Sequence, residues 1–454
     1  MASAADQLAT SISLAKFGQA TDLKKRLWFT LGALIVFRLL SYVPLPGIDP
    51  TQLDLLAKNT QGGVLDFFNN FTGGALSRMS IIALGVMPYI TTSIVVQLAT
   101  SLSPTLNAIK KEGESGRKRL NQYTRYGTVL LTAVQGYFMV VGLEAYGASA
   151  GAQAVIEPGM LFRITAVISL IGGTLFLMWL GEQITSRGIG NGMSLIIMAG
   201  IVARLPTTLV QLFEGGRTGS MNPLTIIGII VAVAALVLFI CFMERAQRRI
   251  LIQYPKRQTA RGVQAERSHL PLKINTAGVI PPIFASSLLL MPLSITQFAG
   301  NLTQGESTWG DIILTLNQYL QHGSPVYMGL YAAGIIFFSF FYTAVVFNPE
   351  ETADNLKRYG GFIPGIRPGK NTEVYFDYVL TRITVIGAAY LTIICLAPEY
   401  LVSALSIPFY LGGTSLLIVV NVTMDTVTQI QSHLLAHQYG DLIKKAKLKG
   451  GRIR

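Results

Sequence analysis

The sequence predicts an all-α membrane protein of ten transmembrane helices, and three observations carry that prediction. Apolar residues make up 51% of the chain and charged ones only 13%, a balance typical of polytopic membrane proteins. Apolar runs recur at about 20 residues, the length that crosses a hydrocarbon core of roughly 30 Å. The positive charge is also sorted: thirty of the 36 Lys and Arg fall in alternate segments between those runs.

In order, the runs lie near 27–44, 80–101, 123–143, 161–181, 193–212, 223–243, 276–298, 325–347, 378–397 and 405–426. Lys16, Lys24, Lys25 and Arg26 precede the first run, and no small-residue cleavage site follows it. That run is therefore expected to remain as an anchor, with the N-tail (1–26) in the cytoplasm. Alternation then puts 103–125, Arg187, 245–273, 357–382 and the C-tail (428–454) on the same side. The remaining cations, Arg38, Lys58, Arg78, Arg163, Arg204 and Arg217, lie on the outer side or within spans. Such a bias is the positive-inside signature, so the net charge of +13 reports topology and affinity for anionic lipid, not a nucleic-acid-binding domain. The two cysteines, Cys241 and Cys395, sit in separate spans and imply no disulfide framework.

Between spans one and two lies FFNNFTGGALSRMS, residues 67–80. Asn69, Asn70, Thr72, Ser77 and Arg78 make it too polar to cross a bilayer. Phe67, Phe68, Phe71 and the pair Gly73–Gly74 make it too greasy and breakable for a solvated loop. Composition alone leaves open what so greasy and breakable a half-helix does beside a membrane span.

The ten spans divide into five (27–212) and five (223–427) around a Gly-containing outer connector, 213–222. An odd number per half makes the second half enter from the opposite side, the topology of an inverted repeat with a pathway between halves, although no sequence repeat accompanies it. Helix breakers point the same way. Span two carries Pro88, and span seven carries Pro281, Pro282 and Pro292; these are the second spans of the two halves, where broken helices would flank a pathway. Two cytoplasmic loops, 244–275 and 348–377, are long, basic and turn-rich, suited to gripping a cytosolic partner.

No fuel site accompanies this body. GGFIPGIRPGKN lacks a phosphate loop's first glycine, having Pro364, and its final Ser/Thr, having Asn371. RGIGNG (187–192) joins two spans and reads as a tight turn. Arg38 lies close enough to a span end to snorkel, and Glu144, Glu182 and Asp425 also sit at span ends. His433 and His437, spaced i, i+4, have no third ligand nearby. Without deep charges, a catalytic triad, a metal cluster or a cofactor motif, the expectation is a passive conduit and no enzyme. The alternative is a secondary transporter of a small solute, which deep ionisable residues would have favoured.

Seven stretches then resemble one family in order along nearly the whole chain: YVPLPGID (42–49), GGALSRMSIIALGVMPYITTSIVVQL (73–98), IKKEGESGRKRLNQYTRYG (109–127), GEQITSRGIGNGMSLIIMAGI (181–201), LPLKINTAGVIPPIFASS (270–287), FYTAVVFNPEETADNLKRYGGFIPGIRPGK (341–370) and GGTSLLIVV (412–420). They resemble the SecY family, the central channel subunits of the bacterial Sec protein translocase. The resemblance implies an hourglass channel that passes unfolded secretory proteins across the inner membrane and releases membrane segments through a lateral gate between spans two and seven. It implies an apolar pore ring at Val86, Ile90, Met193, Ile197, Ile283 and Ile418, where Val86 and Met193 replace the family's usual isoleucines. It makes about 64–75 a short re-entrant helix on the outer side that plugs the funnel, with Phe67, Phe68 and Phe71 on the ring, Asn69, Asn70 and Thr72 meeting water, and Gly73–Gly74 as the hinge. Gln97 and Asn275 become polar residues of the gate. Arg367 and Arg261 become contacts for the motor ATPase SecA or the ribosome, with Gly262 where a second basic residue is frequent. Further implied partners are SecE and SecG in a heterotrimer, SecDF, YidC and preprotein substrates, with both termini cytoplasmic.

Overall fold

The computed structural model describes residues 21–49, 53, 69, 72–150, 155–219, 222–254, 257–259, 262–264, 267–289, 319, 324–405 and 412–450. Its helices are α1 (Thr21–Leu40), α2 (Met87–Leu102), α3 (Pro104–Lys111), α4 (Glu114–Ala150), α5 (Met160–Arg187), α6 (Gly192–Arg217), α7 (Pro223–Arg245), α8 (Ile280–Leu289), α9 (Pro325–Val346), α10 (Pro349–Arg358), α11 (Lys370–Leu405) and α12 (Gly413–Gly450). Every expected span overlaps a helix. Among the described residues, α4, α5, α6, α7, α9 and α11 are long and apolar enough to cross a membrane by themselves.

Helix starts follow local chemistry. The Asn191 side chain caps α6 by accepting from Met193 N (3.1 Å), Ser324 caps α9 by accepting from Tyr327 N (3.1 Å), and Asn348 caps α10 by accepting from Glu350 N (3.1 Å). Each cap supplies an acceptor to a first-turn amide that has none within its helix. Along the spans, Thr and Ser hydroxyls donate to the carbonyl four residues back, as Thr124, Thr128 and Thr132 do in α4, so their polarity is absorbed before it meets lipid. Ion pairs fasten α4 to α5 at both ends, Arg125–Glu182 at 2.6 Å and Arg163–Glu144 at 2.7 Å.

Three expectations change. Pro88 sits in the first turn of α2, and Pro281 and Pro282 in the first turn of α8, positions where the missing N–H has no partner to lose. These prolines therefore start helices after non-helical approaches and do not break them; Pro292 lies outside the described residues. Among the described residues, the prolines inside helices are Pro206 in α6 and Pro398 in α11. The first half of the connector expected at 213–222 is helical, since α6 runs on through Arg217.

The first long loop adds a small β-element to the expected all-α body. Residues 247–273 carry β1 (Gln247–Gln253), β2 (Arg257–Thr259), β3 (Gly262–Gln264) and β4 (Arg267–Lys273), with β1 antiparallel to β4 from Gln247↔Lys273 to Gln253↔Arg267 and β2 antiparallel to β3. Ile250 and Ile252 are buried two residues apart on β1, the alternation of a half-covered strand. The hairpin is tied to the second long loop, because Gln253 and Phe362 exchange backbone hydrogen bonds in both directions at 2.9 Å. Ile250, Leu272, Ile363, Phe376 and Val379 form one small core beneath that joint.

Candidate functional site

Four helices bring the expected ring positions into one apolar cluster. Val86 is the residue before α2 and Ile90 lies one turn in; Ile197 is on α6, Ile283 on α8 and Ile418 on α12, and all five are buried in it. Ile94, Ile201, Phe284, Leu417 and Val422 extend the same cluster. Lipid tails are as apolar as these side chains, so the cluster is held by close packing more than by exclusion from water. Met193 is the exception. Half-buried at the edge, it lies over Gly181 of α5, its Sδ 2.7 Å from where a Cβ on that glycine would stand.

The start of α6 is seated by the turn RGIGNG. Ile189 is buried between Leu23 of α1 and Leu434 of α12. Its amide donates to Thr30 Oγ1 (3.1 Å), and Gly190 N donates to Gln429 Oε1 (2.8 Å). Gly192 N donates to Thr185 Oγ1 (2.9 Å), and a Cβ at Gly192 would strike the Gly181 carbonyl.

Eight residues into α6, at Gly200, stands the described part of the segment 67–80. Phe67, Phe68, Asn70 and Phe71 lie outside the described residues. Asn69 and Thr72 are buried, against the expectation that they meet water. Asn69 Oδ1 accepts from Ser77 N (3.0 Å), Asn69 O accepts from Gly74 N (2.9 Å), and Thr72 Oγ1 donates to Asn69 O (3.3 Å). Their polar atoms close a turn that water would otherwise have to satisfy. Gly73 and Gly74 both have positive φ, 66° and 85°, which glycine adopts without the Cβ penalty. The pair is a tight turn wedged against its neighbours: a Cβ on Gly73 would stand 3.0 Å from Gly200 Cα of α6. Arg38, expected to snorkel, points inward and donates to Gly73 O at 2.7 Å.

The two gate residues do not bond each other. Gln97 Nε2 donates to Ser93 Oγ on its own helix (3.2 Å). Asn275 Nδ2 donates to Glu244 Oε1 (2.6 Å) and Gly278 O (3.1 Å), fixing the approach to α8 against the last turn of α7. Glu244 is a buried carboxylate that the sequence reading passed over; its signal is an acid ending an apolar run directly ahead of a basic cluster, FMERAQRR. Arg261 lies outside the described residues. Arg367 is exposed on the turn between α10 and α11, and its carbonyl accepts from Thr372 Oγ1 (3.0 Å). His433 is exposed on α12, and the side chain of His437 lies outside the described residues.

The SecY family model matches residues 80–427. The protein translocase subunit SecY of Escherichia coli (strain K12) is 54% identical over 434 residues, which covers 95% of this chain and 96% of that one. Among solved structures, the SecY channel described with a plug domain that stabilises its closed state aligns at TM-score 0.60 and 18% identity, over 90% of this chain and 92% of that one. Sec61 from the canine ribosome–channel complex aligns at TM-score 0.58 and 16% identity, with the same coverage.

Proposed function

The chain belongs to the SecY family, the central subunits of protein-conducting channels, and from that membership we propose that its buried apolar cluster is the constriction through which unfolded polypeptides pass. The observation that carries the reading is the convergence of Val86, Ile90, Ile197, Ile283 and Ile418, from four helices, in one cluster with Met193 at its edge. An apolar constriction resists wetting and so blocks ions, while its side chains yield to a chain in transit.

In this reading the segment 64–75 is the plug, and α2 and α8 flank the lateral gate, with Asn275 steadying α8 through Glu244. The plug domain that stabilises the closed state of the SecY channel of the same fold supports the first part. Residues 27–212 and 223–427 are the two halves, and the chain lies in the bacterial inner membrane with both termini in the cytoplasm, as the sorted charge suggests. The channel is passive: SecA or a translating ribosome drives it from the hairpin side, with Arg261 and Arg367 as its contacts. A ribosome-bound relative of the same fold supports such a partner. SecE and SecG complete the heterotrimer, with SecDF and YidC as further partners.

The test is reconstitution with SecE, SecG and SecA. Ile90→Ser combined with Ile283→Ser should raise ion leak through the resting channel in planar bilayers; unchanged conductance rules out the ring. In vesicles, Arg367→Glu should cripple ATP-driven delivery of a preprotein to the lumen while the heterotrimer still assembles. Normal delivery would remove Arg367 from the coupling surface.

A further inference from the structure

Arg38 belongs to none of the devices above, yet its side chain is committed. It lies in the last turn of α1, where a cation suits the helix macrodipole. Nη1 donates to Gly73 O at 2.7 Å and lies 3.5 Å from Ser41 Oγ, while Nη2 donates to Tyr42 OH at 3.1 Å. The guanidinium carbon stands 5.0 Å from the Tyr42 ring centroid, and that of Arg78 stands 4.1 Å from the same centroid. Two cations therefore share one aromatic ring, an attractive arrangement for each taken singly and a repulsive one between them.

What balances the repulsion on the Arg38 side is the Gly73 carbonyl. That carbonyl is aimed by a backbone only glycine adopts readily, since Gly73 and Gly74 both have positive φ. On its other side Gly73 lies against Gly200 of α6, where a Cβ would stand 3.0 Å from Gly200 Cα. Gly73 is thus gripped between α1 and α6.

We propose that Arg38 is a positioning residue for translocation, a latch that holds the plug-bearing turn closed through the Gly73 carbonyl. This rests on reading 64–75 as the plug. When the turn leaves, Arg38 loses its carbonyl while Arg78, beyond the 64–75 segment, stays beside Tyr42. The Arg38 guanidinium must then be rehydrated, so the latch biases the resting channel toward the closed state. A charge-assisted bond to a backbone acceptor suits the task, because water can replace it and no side chain on the moving segment has to be conserved in shape.

The experiment uses the heterotrimer in lipid, with Thr72→Cys as a reporter. Thr72 is buried in the closed turn, and labelling of Cys241 and Cys395 by the same membrane-impermeant maleimide is subtracted using the parent. Arg38→Met should accelerate labelling at position 72 and move resting ion conductance toward that of a channel lacking 64–75. Arg38→Lys, which keeps a donor and the charge, should fall between parent and Arg38→Met and also serves if the methionine variant assembles poorly. In the channel lacking 64–75, Arg38→Met should add no conductance, a non-additivity that a general packing defect would not give. Parent-like labelling in both Arg38 variants overturns the latch. A tight channel after deletion of 64–75 instead overturns the plug as seal, and faster labelling in Arg38→Met would then still uphold the latch.

Discussion

The α5–α6 turn at the hairpin end of α1 and the Gly73 turn at its far end both join α1 to α6, but they are fastened differently. The first is bonded to three elements: Thr30 of α1 accepts from Ile189 N, Thr185 of α5 from Gly192 N and Gln429 of α12 from Gly190 N, with the Ile189 side chain buried among Leu23 and Leu434. The second meets α1 through one guanidinium on one carbonyl and meets α6 through glycine-on-glycine contact. Thr30 to Arg38, and Gly192 to Gly200, are each eight residues apart, about 12 Å of helix. Met193 and Ile197 lie between the two attachments. One attachment is built to stay, and the other to be undone without disturbing it.

The largest expected effect separates the two directly. A Cβ at Gly188 would stand 2.5 Å from Thr30 Oγ1 and 2.6 Å from Ile184 O, and the helix carbonyl cannot yield. Gly188→Ala should cost about 1–3 kcal/mol by overpacking, read as a clear fall in the apparent unfolding temperature of the detergent-solubilised heterotrimer. Gly73→Ala, strained by its positive φ at roughly 1 kcal/mol, should shift that temperature less while raising resting ion conductance more. Equal losses of stability and equal leak in the two variants would break the contrast.

A smaller effect sharpens it. Thr30→Val keeps the shape but leaves the buried Ile189 amide without its acceptor, a penalty of about 1–3 kcal/mol set against the small change in packing. Stability should fall with resting conductance near the parent value, and Thr30→Ser should recover most of the loss. A leak as large as that of Arg38→Met would mean that the hairpin-end attachment also guards the seal.

Much of this architecture could be read from the sequence, and what could not has physical reasons. Apolar runs near 20 residues placed the spans because lipid leaves a helix few alternatives. The hairpin was hidden because its strands are short and basic, and the β-pattern of β1 rests on Ile250 and Ile252 alone among its buried residues. Prolines read as breaks because a sequence does not reveal whether a proline falls in the first turn of a helix or the middle. Asn275 is legible as a polar residue at the start of span seven, but its partner, Glu244, lies 31 residues earlier. Arg38 reads as a snorkelling cation because its partner is a backbone carbonyl, and no side-chain pattern announces one. The ring positions came from family resemblance; buried isoleucines and a valine on four helices look like ordinary packing until the helices meet.

The joint between Gln253 and Phe362 has a mechanical consequence. Two loops that each hung free would flex separately under load. Paired backbones and the shared core of Ile250, Ile363 and Phe376 make them a single crank, with arms set into α7 at Arg245 and into α11 at Lys370. A force applied at the Arg367 tip is therefore delivered as a torque on two helices at once, and little of the stroke is lost to bending of the loops.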